Sequence, residues 1–294
     1  SKSVAFNSGS KEIRMLKWVM RGLVVLIMLA STSSCQTTEI VDPTIVPVPT
    51  RLSSITANED RDACVVTFPP EEYRFDPFYK KYCNGGGIPI ISSGEVDNRA
   101  LQQAYYVITN LLAPIPEIKK ELVDRGAYFA IMGTKEFQTT LPEYAHMDST
   151  YWDQRARGLG ADRWNPVTSG AEENLLCLRA DRYYGESIAV HEFAHTIHLL
   201  GLSRVIRGFD ASLVALYQSA TERGLWHNTY AGTNYKEYWA EGVQSYFNTN
   251  LQALPTNGVH NHVNTREELA EYDPQLYQFI DEILGGFEWT PTCP

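Results

Sequence analysis

His191 and His195 stand four residues apart with a glutamate between them, in the run His191-Glu192-Phe193-Ala194-His195. Four residues is about one helical turn, so on a helix both imidazoles share a face and can grip one metal ion. Glu192 then projects beside that ion, where its carboxylate can hold a metal-bound water and take its proton. Zn2+ held this way is the arrangement of zinc hydrolases, most often peptidases. Catalysis at zinc wants three protein ligands and an open position, so one ligand must come from elsewhere. His198 lies seven residues from His191, about 10.5 Å of helical rise, too far to share the ion easily. It reads as a neighbour of the site or a solvated residue. The longer metzincin pattern fails too, since it wants Gly where His198 stands and His where Gly201 stands.

Glu237 and Glu241 are the better source. They are four apart on a helix expected over residues 235–247, which also carries Tyr238, Trp239, Ala240, Val243, Tyr246 and Phe247. Such a helix is too apolar for a solvated element, and paired carboxylates on a buried helix need a cation or hydrogen-bond donors. One glutamate can bind the metal while the other accepts the ring N–H of a ligating histidine.

His191 to His195, with Tyr230, Thr233, Asn234, Glu237, Trp239, Ala240 and Glu241 downstream, resemble a gluzincin. Within that class the segment is most similar to the catalytic domain of anthrax toxin lethal factor and its bacterial relatives. The resemblance covers residues 185–250. In that family the first Glu of the Glu-x-x-x-Glu pair binds zinc, which implies Glu237 as third ligand and Glu241 behind a histidine. It also implies that Tyr230, seven residues before that ligand, assists catalysis as a donor to the developing oxyanion; Tyr235, Tyr238 and His227 are alternatives. A zincin-like fold and a zinc-dependent endopeptidase acting on proteins or peptides follow from the resemblance. The family's toxin role does not, because none of its delivery domains is recognisable. Two other functions would use the same residues. One is a zincin-fold envelope binding protein without catalysis, which has no use for Glu192. The other is a zinc hydrolase of a non-peptide amide such as a cell-wall crosslink, whose carbonyl chemistry is the same.

Elements must hold these residues in place. Ser187 can cap a helix carrying Ile188, Ala189, Val190, Ala194, Ile197, Leu199 and Leu200, with Gly201 expected to end it. Upstream, residues 96–112 have helical apolar spacing, residues 117–124 suggest a second helix ended by Gly126, and residues 128–133 suit a buried strand. Cys83 to Gly87 reads as a turn rather than a phosphate loop. Residues 152–174 read as polar loop, residues 175–178 as a strand placed where an edge strand could pair with an extended peptide, and residues 267–284 as helix. The class expected is α+β, a zincin-like domain with a small sheet and a helical C-terminal half.

The first residues speak to location. Met15 opens a segment with Lys17 and Arg21 followed by an apolar run from Gly22 to Ala30, too short for a bilayer, which takes about twenty residues. The pattern is that of a secretory signal, with residues 1–14 as upstream sequence. Ser31 to Cys35 resembles a bacterial lipoprotein cleavage box, although Thr32 stands where Leu is usual, so Cys35 is the expected lipid anchor, with ordinary signal cleavage nearby as the alternative. The organisation expected is signal through residue 35, a Pro- and Thr-rich tether over 36–58, and one catalytic domain over 59–294. Of five cysteines, Cys64, Cys83, Cys177 and Cys293 remain for two disulfides of undetermined pairing in an exported, envelope or secreted protein. The net charge of −10 argues against nucleic acid as a partner and hints at neutral or basic substrates.

Overall fold

The computed structural model describes residues 55–294. The segment with the expected signal, Cys35 and most of the tether lies outside them. Residues 55–58, read as the end of the tether, pack on the domain: Asn58 exchanges two hydrogen bonds with Asn110, at 2.7 and 2.8 Å.

Four short strands form one mixed sheet in the order β1 (Lys81–Gly85), β2 (Ile88–Ser92), β3 (Tyr128–Met132) and β4 (Val167–Ala171). β1 and β2 form an antiparallel hairpin, whereas β2–β3 and β3–β4 are parallel. The hairpin turns on Gly86 and Gly87, whose φ angles of 69° and 104° suit glycine in a tight two-residue turn. The turn read over Cys83 to Gly87 is therefore shorter, and strand runs through Gly85.

Helices α1 (Asn98–Leu112) and α2 (Pro116–Asp124) connect β2 to β3; α3 (Ser149–Arg155) precedes β4 and α4 (Glu172–Leu175) follows it. The C-terminal half is helical: α5 (Ile188–Thr196), a π-helical turn Ile197–Leu202, α6 (Ser203–Val205), α7 (Phe209–Glu222), α8 (Tyr235–Tyr246), α9 (Arg266–Tyr272) and α10 (Pro274–Leu284). This is the mixed architecture of an α+β protein. Alternation along β3 sends Phe129 and Ile131 into a core shared with α1, α5 and α8, and Ala130 and Met132 into a second cluster with Tyr79, Leu141 and Tyr144.

Four expectations are corrected. Residues 175–178 form no strand; Leu175 ends α4 and Cys177 takes φ 52° in the turn after it. The stretch 152–174 holds part of α3 and all of β4 rather than loop. Gly201 does not end the helix but lies inside the π-helical turn, where a Cβ would meet Ile118 Cγ2 at 2.4 Å; its smallness lets α2 pack close. The helix expected over 267–284 is two helices, divided at Asp273, which caps the second.

Two disulfides resolve the pairing: Cys64–Cys83 and Cys177–Cys293. Among the described residues no helix is long and apolar enough to cross a membrane.

Candidate metal centre

α5 and α8 pack face to face, and each is fixed at its start by a capping side chain. Ser187 Oγ accepts from the Val190 N–H at 3.3 Å; Asn234 Oδ1 accepts from Lys236 and Glu237 at 2.9 and 3.2 Å. Two further bonds tie the helices together. Trp239 Nε1 donates to the Ala194 carbonyl at 2.9 Å, and Gln244 Nε2 donates to the Ser187 carbonyl at 3.1 Å.

Between them His191, His195 and Glu237 converge. The two Nε2 atoms are 3.2 Å apart, and Glu237 Oε2 lies 3.1 Å from one and 3.0 Å from the other. The tautomer of His191 follows from its other nitrogen, which donates from Nδ1 to Gln244 Oε1 at 2.8 Å. Nε2 of His191 therefore presents a lone pair to the carboxylate, an arrangement that needs a cation or a proton in the middle. A tetrahedral zinc ion with bonds of about 2.0–2.1 Å sets its ligand atoms about 3.3 Å apart, so the triangle is close to the right size. Electrostatics agree. Burial works against a charged His191, but hydrogen bonds to Glu237 and Glu241 outweigh it and hold its pKa well above the ordinary histidine value. Burial likewise opposes ionised Glu237, yet the two histidines keep it far below the usual carboxylate range. Among the described residues, this is the cluster of histidine, cysteine and carboxylate groups able to hold a metal ion.

Glu192 sits beside the triangle. Burial raises its pKa, while His191, His195 and the nearby Gly160 backbone pull the other way. The chain at 158–160 runs flush against this helix. A Cβ on Gly158 would come within 2.9 Å of Glu192 Cγ, and one on Gly160 within 2.5 Å of His195 Cβ. Leu159 pairs antiparallel with Ser169 of β4, so the strand-like run beside α5 is here rather than at residues 175–178.

Tyr230 stacks near His191, with ring centroids 6.0 Å apart and planes inclined by 24°. Its backbone N–H is held by the Val259 carbonyl at 2.8 Å. Burial, then Glu237, push its hydroxyl up to about 12, so it remains an O–H donor at neutral pH. The alternatives lie elsewhere: Tyr238 donates to Asp273 in the core, Tyr235 packs on His198, and His227 is exposed. His198 is not solvated. It is fully buried, donates from Nε2 to Asp210 at 2.8 Å, and is pushed down to about 4 chiefly by burial.

Glu241 is buried behind His191, with Oε1 3.4 Å from Nδ1, and accepts from Asn250 at 3.0 Å. The shorter contact to His191 belongs to Gln244, which the reading of the sequence passed over. Its signal was present, since residues 237, 241 and 244 form one helical stripe.

Compared with protein-family models and with curated proteins, the chain finds no match in either.

Proposed function

We propose that the chain is a zinc-dependent endopeptidase with a zincin-like fold, ligated by His191, His195 and Glu237. The observation that carries this is the convergence of two imidazole nitrogens and one carboxylate oxygen beside a separate, buried glutamate. A zinc ion there would supply a Lewis acid for a carbonyl oxygen and acidify water. Glu192 fits the general base: its carboxylate takes the proton from the attacking water and returns it to the leaving amine. The Tyr230 hydroxyl fits the donor that stabilises the carbonyl oxygen as it gains charge. The backbone over 158–160 would give an extended substrate an edge to lie along. Gln244 and Glu241 hold His191 in the tautomer that ligation needs. The two disulfides support export to an oxidising compartment, in keeping with the signal-like N-terminal segment and the proposed anchor on Cys35.

Metal content and cleavage of casein or a peptide library, read together, test the reading. Glu192→Gln should keep about one zinc per chain and lose nearly all cleavage, because the base goes and the ligands stay. Parent-rate cleavage by that variant would remove the mechanism. Zinc without cleavage in either form would turn the reading to a binding module or a non-peptide amide hydrolase, and a chain that takes up no zinc would mean the ligands are misassigned.

A further inference from the structure

Away from the histidines, Glu143 is a half-buried carboxylate that meets no cation. Tyr79 Oη donates to its Oε2 at 2.5 Å and Tyr128 Oη to its Oε1 at 2.7 Å. Both donors are neutral, so they fix the carboxylate in place and leave its charge standing. Among the described residues Glu143 forms no ion pair. Burial, then the Glu143 charge, raises both phenols far above the ordinary tyrosine value, so they remain donors at neutral pH. A charge held partly out of water without a counter-charge is costly, and a cation brought beside it would relieve that cost.

There is room for one. Glu143 lines a cavity of about 480 Å³ between the turn Tyr73–Asp76, the β1–β2 hairpin and the end of α2. Small-molecule sites commonly enclose about 300–1,000 Å³. Tyr73, Phe75 and Tyr128 line it too, and the rings of Tyr73 and Tyr128 each lie 5.3 Å from that of Phe75. The three therefore make one continuous aromatic wall. Pro89, Val123 and Ala127 supply apolar lining. Arg74 and Asp76 stand exposed on the rim with opposite charges, which leaves the Glu143 charge unbalanced. Lys119 approaches Gly86 at the hairpin turn and does not line the cavity.

We propose that this cavity binds a methylated ammonium group, with Tyr73, Phe75 and Tyr128 as its aromatic wall and Glu143 as its counter-charge. Aromatic rings attract such a cation through the negative charge on their faces, most strongly where water is excluded. A quaternary nitrogen carries no N–H, so it asks for charge and apolar contact rather than directional bonds. The lining matches that demand, since each Glu143 oxygen already accepts from a phenol and Pro89, Val123 and Ala127 bring no side-chain donor. A sugar also stacks on aromatic rings, but its many hydroxyls need directional partners that this lining supplies sparsely. The cavity shares no residue with the metal centre, and the proposal does not rest on the peptidase reading.

Isothermal titration calorimetry of the chain with choline tests it. Two comparison ligands separate the contributions: ethanolamine, which lacks the methyl groups, and the uncharged alcohol in which carbon replaces the choline nitrogen. Choline should bind about ten-fold tighter than the uncharged isostere, and tighter than ethanolamine. Glu143→Gln should weaken choline about ten-fold and leave the isostere unchanged. Tyr73 is 42% exposed, so Tyr73→Leu tests the wall with little risk to folding. It should cost about three- to ten-fold in choline affinity, whereas Tyr73→Phe should match the parent. Sedimentation with phosphatidylcholine vesicles, displaced by free choline, would place the group on a lipid surface. Choline binding without sedimentation would make the ligand a free small molecule, and the proposal holds in both cases. Absence of choline binding, equal binding of choline and its isostere, or a preference for ethanolamine would each overturn it. So would unchanged choline affinity in Glu143→Gln and Tyr73→Leu proteins that melt like the parent.

Discussion

Gln244 is fully buried and connects three things at once: His191 through its carbonyl oxygen, the start of α5 through its amide, and α8 through its own backbone. Without its oxygen the His191 ring loses the bond that fixes its tautomer and its angle to His195 and Glu237. Gln244→Leu, close in volume, is expected to lower zinc affinity by about ten- to a hundred-fold, measured by competition with a chelator. Glu241 stands 3.4 Å from the same nitrogen and can take over in part, so the double variant with Glu241→Gln should lose more than the single one. Much of this scale was legible in the sequence. Spacing of four on a helix is a local property, and it brought His191 to His195 and Glu237 to Glu241 without knowledge of the fold. Tyr230 is a different case, because its position depends on the Val259 carbonyl, 29 residues downstream, and only the resemblance pointed to it.

At the scale of elements the sequence was least legible where polar residues are buried. β4 reads Val-Thr-Ser-Gly-Ala, and all five residues are buried. Thr168 bonds Thr196 of α5 at 2.6 Å and Ser169 bonds Gln138 at 2.9 Å, so their hydroxyls are satisfied by partners far along the chain. Reading polarity as exposure fails at such a strand. α1 and α2 were recognisable because their apolar stripes are local patterns. The tight fit between α5 and the 158–160 run carries a prediction of its own. Gly160→Ala would force a Cβ to within 2.5 Å of His195 Cβ and 2.9 Å of the Glu192 carbonyl oxygen, where backbone has to move. Urea unfolding should show a loss of about 1–3 kcal/mol, and zinc affinity should fall with it because His195 is the atom set displaced.

For the whole molecule, the two bridges differ in reach. Cys64–Cys83 closes a separation of 19 residues and Cys177–Cys293 one of 116. The second also anchors the segment in which Trp289 packs on Phe247 and donates to Tyr106 at 3.0 Å. Loop-closure entropy favours the longer bridge, so removing Cys177 and Cys293 together as serines should cost about 2–5 kcal/mol, more than the same change at Cys64 and Cys83. Denaturant unfolding of the two double variants, with and without reductant, compares them directly. Which cysteines pair was beyond the sequence, since pairing depends on how the C-terminal segment returns over α1.

The longer bridge has one more result. His191, Glu192, His195, Tyr230, Glu237 and Gln244 all lie between Cys177 and Cys293 in the chain. A single proteolytic cut anywhere in that interval leaves two fragments still joined by a covalent bond, with the proposed zinc ligands on one or both. Such a nicked protein would migrate as one band on a non-reducing gel and as two after reduction. In a compartment rich in proteases, a clipped copy would thus keep all its site residues in a single particle.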